Sequence, residues 1–437
     1  MELEVAQWLV SSEARPYIDQ AASYSDPSSL SAGTSLRREL SPDRAAAVLD
    51  LVSLRRRAHK KLGDMADHLF LTQDSLEQAT RWEVALWRAR HLAALGITRV
   101  TDAGCGVGID SVAFHTMGIS VTALERDSVL ATLASANLAL GTTFHDPKLT
   151  EPSNPQETPD PGSSGLHEGP TSPSGDISTS LVPGNAPTPW EVHVTDLTAH
   201  TDWLPRDQDH ALYLDPARRN AHRRSWDIRD LSPSWEFVES MINRRTSPVI
   251  IKLAPGFPRR LLPENTDVTW VSHRGDLVET TLWAIPQARS RREAVIVDGA
   301  TEHRLPTGDD APAPGPVGTY VYEPDPAVIR ARAIPTLASF TSTHPIADHI
   351  AYLTGNDLHQ TRFASVFAVE EIQVFSPKAL KAWVASRDIG TLEIKVRGLD
   401  IDPASFRRTL KLTGRNQATV ILTPSPEGAK ALIVRRI

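Results

Sequence analysis

The chain has 437 residues, enough for two or three domains with a core in each. A formal net charge of -7 excludes an overall basic character, so a nucleic-acid partner would have to be met by local patches. The single cysteine excludes an internal disulfide and CxxC metal sites.

The opening M-E-L-E-V-A-Q-W-L-V carries acids where a secretory signal needs basic residues, and no apolar run approaches the roughly 18 residues of a membrane span. A cytoplasmic protein is therefore expected. Residues 1 to about 96 read as a helical domain. Ser41-Pro42-Asp43 supplies a cap and then a first-turn proline, ahead of A-A-A-V-L-D-L-V. The basic run Arg55, Arg56, Arg57, His59, Lys60 and Lys61 continues that helix, as a solvated face or as a phosphate contact. A further helix is predicted from Asp74 to Leu95, where Leu76, Ala79, Trp82, Leu86, Ala89 and Leu92 recur three or four apart and bury a stripe against a following sheet. Thr72 and Gln73, just before it, suit cap or core roles, or a place near a cofactor if the helix docks that way.

The stretch from Val100 to Asp110, V-T-D-A-G-C-G-V-G-I-D, joins a predicted strand to the predicted helix Ile109 to Met117. Gly104, Gly106 and Gly108 tolerate positive φ and let backbone N-H groups approach a ligand, and the helix that follows favours an anionic or polar partner. The dinucleotide spacing G-x-G-x-x-G would need glycine where Ile109 stands, which argues against NAD. Cys105 lies inside the turn, so no separate cysteine remains as a nucleophile. With Asp102 two residues before the first glycine and Glu125 ending the next strand (Ile119 to Leu124), the pattern resembles the S-adenosylmethionine motif of class I methyltransferases. The resemblance implies that Asp102 meets the amino end of the cofactor's methionine and that Glu125 accepts from both ribose hydroxyls. Gly104, Gly106, Gly108 and Asp110 complete the cofactor set on this side.

A helix from Ser128 to Leu140 follows. Residues 143 to 188 then turn rich in Pro, Ser, Gly and Thr with hardly any large apolar residue, and read as a disordered insertion within one domain. Order resumes with W-E-V-H-V-T-D, ending in Asp196, a position at which such enzymes contact the adenine amino group and at which a helix cap would serve equally.

The next strand ends A-L-Y-L-D-P-A-R-R. Methyltransferases of exocyclic base nitrogens place an acid or asparagine, two prolines and an aromatic here; this chain has Ala217 and Arg218 in the last two places. Pyrimidine C5 enzymes share a D-P-P-R variant but need a cysteine nucleophile. There remain Asp215, expected to accept the leaving proton, and Arg218, counted with it in catalysis. Arg219, His222, Arg223 and Arg224 continue a basic loop in which Arg219 and Arg223 would grip substrate phosphate or carboxylate, or else pair with Asp227 and Asp230. A helix from Pro233 to Asn243, the apolar strand in S-P-V-I-I-K-L-A-P-G and the closely spaced pair V-T-W-V-S-H and L-V-E-T-T-L-W-A suit the antiparallel finish of a class I sheet.

Residues 290–437 read as a separate small α/β domain, with A-V-I-V-D-G, a helix near Pro326 to Ala333, L-E-I-K-V-R, D-P-A-S-F-R-R-T-L-K-L, A-T-V-I-L-T and A-L-I-V-R-R-I. Taken together, V-T-D-A-G-C-G-V-G-I-D-S-V-A-F, Y-L-D-P-A-R-R and E-I-K-V-R-G-L-D-I-D-P-A-S-F-R-R resemble bacterial class I methyltransferases with a carboxy-terminal THUMP-like domain. The glycine motif is also similar to that of trimethylguanosine synthases. The resemblance implies an α/β fold in three parts: a helical domain over 1–96, a Rossmann-like sheet over 97–289 and a THUMP-like domain over 290–437. It further implies S-adenosylmethionine as cofactor and structured RNA, tRNA or rRNA, as substrate. Lys395, Arg397, Arg407, Arg408, Lys411 and Arg415 would contact phosphate or form a solvated helix face, and Arg408 is the substrate-binding candidate among them. A small-molecule methyltransferase, a non-catalytic RNA-binding protein and a protein methyltransferase are the other readings. The histidines, His344 and His349 included, show no ligand spacing, so no metal is expected.

Overall fold

The computed structural model describes residues 1–141, 189–199, 202–218, 227–244 and 246–437. The expected insertion over 143–188 and the loop residues Arg219, His222, Arg223 and Arg224 lie outside them. At Arg218 only the backbone is described.

The central sheet has nine strands: β1 (Arg99–Ala103), β2 (Ser120–Glu125), β3 (Trp190–Val194), β4 (His210–Leu214), β7 (Val249–Leu253), β8 (Asp267–His273), β9 (Asp276–Ala284), β10 (Arg292–Asp298) and β11 (Thr301–Pro306). The order is β11-β10-β8-β9-β7-β4-β1-β2-β3. Strands β3, β2, β1, β4 and β7 run parallel, and β9 inserts antiparallel between β7 and β8. Near-continuous apolar runs such as V-I-I-K-L are what a sheet covered on both faces requires. Two short strands, β5 (Ala217–Arg218) and β6 (Leu231–Ser232), pair as a separate ribbon just beyond β4.

The helical domain comprises α1 (Leu3–Leu9), α2 (Arg15–Ala22), α3 (Leu30–Leu36), α4 (Pro42–Leu62), α5 (Gln73–Gln78) and α6 (Trp82–Ala94). Ser41 caps α4 as its sequence demands, accepting from the Arg44 amide. The single helix expected from Asp74 to Leu95 is instead two. Ala79 and Arg81 are extended at the break, where the Thr80 hydroxyl donates to Asp110 and Arg81 reaches the His273 carbonyl and Asp276, so tertiary bonds outbid helix propagation. Arg56, Arg57, His59 and Lys60 of the basic run on α4 are exposed, as the solvated-face reading has it, and two arginines of the run also bond carbonyls. Arg55 donates to the carbonyls of His68 and Leu69, and Arg56 to those of Ala22, Tyr24 and Ser25, tying α4 to its neighbours. Thr72 takes the cap role, in a capping box with Ser75, and Gln73 accepts from Arg57.

One apolar cluster joins the end of α4, α5, α6 and α7 (Ile109–Thr116) to one face of the sheet, with Trp87, Phe114, Tyr213 and Trp283 in it. The other face packs on the helix Trp235–Arg244 and on the first part of the carboxy-terminal unit, through Val328, Ala331 and Leu337. That unit holds a seven-stranded sheet from β12 (Tyr320–Pro324) to β18 (Gly428–Arg436), including β15 (Ala364–Val374), β16 (Ile389–Val396) and β17 (Asn416–Ser425). The start expected for it at residue 290 needs correction. β10 pairs with β8 and β11 with β10, because A-V-I-V completes the covered face of the central sheet, so residues 292–306 belong to the first sheet.

Candidate active site

The glycine turn forms as its sequence requires. Gly104, Gly106 and Gly108 have φ of +85°, +59° and +79°, values that side chains with a Cβ rarely adopt. The bonds it makes differ from the expected amide cradle. The N-H groups of Gly104 and Cys105 donate to the Leu124 carbonyl at 2.8 and 3.0 Å, and that of Gly106 to Glu125 Oε2 at 2.9 Å. The turn is thus fastened to the end of β2, and helix geometry leaves the first-turn amides of α7 as the donors without intrahelical acceptors. A Cβ built on Gly104 or Gly106 would meet no protein atom within 4 Å, so the turn borders open space that a side chain would fill. A Cβ built on Gly108 would instead lie 3.4 Å from Ala134 Cβ of α8 (Ser128–Gly141), so this end of the turn is lined by protein. Asn137 of α8 holds the assembly from behind, donating to the carbonyls of Val107 and Phe70 and accepting from the Phe70 amide.

Glu125 is 8% exposed at the carboxyl end of β2. Its Oε1 accepts from the Asp127 amide at 2.9 Å, so each oxygen holds one backbone bond and keeps a lone pair for another donor. Asp102 accepts from Ser111 Oγ at 2.5 Å. Burial pushes its carboxyl up to about 8, with Asp110 and Asp215 adding and Ser111 opposing. Asp196, exposed after β3, accepts from the amide and hydroxyl of Thr198 in a local turn.

Asp110 lies where the helical domain meets the sheet. Its oxygens accept from Arg88 and, at 2.7 Å, from Thr80, so its role here is to bind α6 to α7. Arg88 is fully buried and donates through Nη2 to both oxygens of Glu279 at 2.6 Å. Burial works to discharge this guanidinium and is outweighed by Glu279, Tyr213 and Asp110, which hold its pKa above the ordinary value.

The register places Asp215 next to these groups, since Leu214 of β4 lies opposite Ala103 of β1 and Ile251 of β7. Lys252 Nζ donates to Asp215 Oδ2 at 2.5 Å. Burial pushes the Asp215 carboxyl above its usual range against the pull of Lys252. At Lys252, burial is outweighed by Asp215, Asp110 and Glu279, which hold the ammonium charged. Lys61 at the end of α4 borders the same site. Burial, then Lys252 and Arg81, push its pKa down to about 8.

Sequence reading did not single out Lys252, Arg88 or Glu279. A lone lysine inside V-I-I-K-L was the signal for the first. Arg408, on the exposed helix Pro403–Thr409, bonds only locally, to Ser405 Oγ, and is not brought to this site by any bond among the described residues. Among those residues no group of His, Cys, Asp and Glu could hold a metal ion, and no helix is long and apolar enough to cross a membrane.

Two Mycobacterium tuberculosis proteins, from strains CDC 1551 / Oshkosh and ATCC 25618 / H37Rv, are each named an uncharacterized S-adenosylmethionine-dependent methyltransferase. Each is 28% identical to this chain over 395 residues, covering 87% of this chain and 93% of the relative. The chain is a homologue of S-adenosylmethionine-dependent methyltransferases. Residues 364–436 match a THUMP domain-like family, and residues 2–58 match a domain of unknown function, DUF8688. The crystal structure of a candidate methyltransferase from Porphyromonas gingivalis W83 shares the fold at a TM-score of 0.68 and 19% identity, over 99% of this chain and 97% of that one. The chain shares the fold of that methyltransferase structure, and the two relatives carry S-adenosylmethionine dependence in their names.

The residues of this chain fit that cofactor. Open space over Gly104 and Gly106, a carboxylate with spare lone pairs at Glu125, and an acid at Asp102 offer room, hydroxyl acceptors and a partner for an ammonium group.

Proposed function

We propose that the protein methylates a base of structured RNA, tRNA or rRNA, with Asp215 at the acceptor atom. The observation that carries the reading is a carboxylate held by Lys252 at the carboxyl end of β4, beside the glycine turn, where ligands of open α/β sheets lie. The THUMP domain-like match over residues 364–436 supports RNA as the substrate class, and a cytoplasmic site of action goes with it.

When bound, S-adenosylmethionine supplies an electrophilic methyl group on a sulfonium. The chain's own residues then have positioning tasks. Glu125 would accept from the ribose hydroxyls, Asp102 would meet the ammonium of the methionine part, and Asp196 is the candidate for the adenine amine. Gly104 and Gly106 keep the ligand space open, Gly108 gives the turn its left-handed end beside α8, and Asp110 holds the start of α7 in place from behind. At the acceptor, Asp215 would orient the nucleophilic nitrogen and take the proton released as the new N-C bond forms and the S-C bond breaks. Alignment supplies most of the gain in such a transfer. Arg218, Arg219 and Arg223 follow Asp215 in the chain and are candidates for substrate phosphate, as is Arg408.

The test is incubation with labelled cofactor and total RNA from cells lacking the protein, against RNase-treated and protein fractions. Label in RNA that RNase removes is the expected result. Label confined to small molecules or to protein would replace the RNA reading.

A further inference from the structure

A cleft of about 530 Å³ lies between the two sheets. One wall is the β8–β9 turn with Arg274 and Gly275 and the end of β10; the other comes from β12, β15, β16 and β18 of the THUMP-like unit. Since β8 and β10 run parallel to β7, these are the carboxyl ends of the central sheet, the edge that also carries the glycine turn and Asp215.

Five cations converge on it from four separate segments: Arg274, Arg362, Lys395 with Arg397, and Arg436. They face Asp298, Glu323 and Asp325, and Glu83 and Glu393 pair with Arg274 and Lys395 from outside the lining, at 3.0 and 3.5 Å. The acids are already committed. Glu323 is shared by Lys395 at 2.7 Å and Arg397 at 3.5 Å, Asp298 meets Arg362 at 3.2 Å, and Asp325 caps the helix Pro326–Ala331. Arg436 meets no carboxylate among the described residues. It donates to Ser365 Oγ at 3.1 Å and lies 4.9 Å over the Phe367 ring, while Arg397 lies 5.2 Å over Tyr352. The rings hold both guanidinium groups in place, and Arg436 has no carboxylate partner among the described residues, which suits a phosphate.

The cleft is joined to the active site through the start of α6. Arg274 bonds Glu83 at 3.0 Å and Glu83 meets His273 at 2.7 Å. Arg81 holds the His273 carbonyl, and Thr80 beside it holds Asp110.

We propose that this cleft seats a phosphodiester of the RNA whose base lies at Asp215. This rests on the RNA reading above. The test is binding of fluorescein-labelled bulk tRNA to the full chain and to Arg436→Gln, Arg397→Gln and Arg435→Gln. Arg435 is the control: it neighbours Arg436, carries the same charge, pairs with Glu370 and does not line the cleft. Arg436→Gln and Arg397→Gln should each weaken binding about 5- to 10-fold at low salt and reduce the slope of log affinity on log salt by about one, whereas Arg435→Gln should stay within about 2-fold of the parent. Unchanged cofactor affinity of the variants reports that they are folded. If the parent methylates RNA but Arg436→Gln and Arg435→Gln behave alike, the cleft assignment falls and the RNA reading stands. If adenosine monophosphate binds in the cleft while tRNA neither binds nor is methylated, the phosphodiester seat and the RNA reading both fall.

Discussion

Replacing Lys252 with methionine keeps an unbranched side chain one atom shorter and removes the charge that faces Asp215. At about 4 Å between charge centres and an effective dielectric of about 20, an ion pair is worth about 4 kcal/mol. The Asp215 side chain is 36% exposed and that of Lys252 13%, so solvent screening cuts this to about 2 kcal/mol. The sign follows from the chemistry. Asp215 must be ionised to accept a proton, and without the ammonium its protonated form gains, so the acidic limb of kcat moves to higher pH. Below that limb the variant should be slower by about 30-fold, the equivalent of about 2 kcal/mol, and should recover as pH rises. Asp215→Asn should lose about 100-fold or more at every pH while binding cofactor normally. Turnover of labelled RNA from pH 5.5 to 9.5 is the assay. A loss in Lys252→Met that is the same at all pH values, or full activity in Asp215→Asn, would refute the proton-acceptor role.

Other expectations follow from the same geometry. Glu125→Gln should weaken S-adenosylmethionine binding by about 1.5–3 kcal/mol in calorimetry, the scale for hydrogen bonds to a charged group, and tight NAD binding by the parent would contradict the site altogether. Asp102 is pushed up to about 8, so the folded state binds its proton more tightly than the unfolded chain, and its contribution to stability is present at low pH and fades as pH rises toward about 8. Asp102→Asn should therefore lose less thermal stability than the parent between pH 5 and 8; in the parent, cofactor binding near pH 7 should release roughly one proton if its ammonium meets Asp102, read as buffer-dependent binding enthalpy. Arg88→Met should cost about 3–5 kcal/mol in denaturant unfolding, because Asp110 and Glu279 are left buried without their cation, and Arg88→Met with Asp110→Asn and Glu279→Gln should regain much of it.

What the sequence discloses follows the range of the forces involved. The glycine turn, the Ser41 cap and the alternation of strands and helices are local, and each is written in a few adjacent residues. So is Glu125, which a strand end must place beside the turn. The break at Ala79 to Arg81 was hidden because a continuous helical stripe gives no sign that Thr80 is claimed by Asp110, 30 residues away. Arg88 and Glu279 stand 191 residues apart, and each alone resembles an ordinary charged residue. The expected boundary at 289 failed for the same reason. A-V-I-V reads as the strand of a new unit, and only the parallel pairing of β10 with β8 shows that it closes the old one.

These long-range bonds bear on function through what they join. Asp215 is held by Lys252, Lys252 is held charged by Asp110 and Glu279 as well, and both of those acids are bound by Arg88 of α6. A buried charge is costly unless paired, so the placement of α6 on the sheet and the ionisation of the acceptor-side carboxylate are coupled. The helical domain is therefore tied to Asp215, the proposed proton acceptor, through these pairs. Arg81 and Glu83 carry the same clamp onward to the β8–β9 turn, which forms one wall of the cationic cleft. Loosening α6 should accordingly disturb chemistry at Asp215 and phosphate binding in the cleft together, although α6 lines neither the glycine turn nor the cleft.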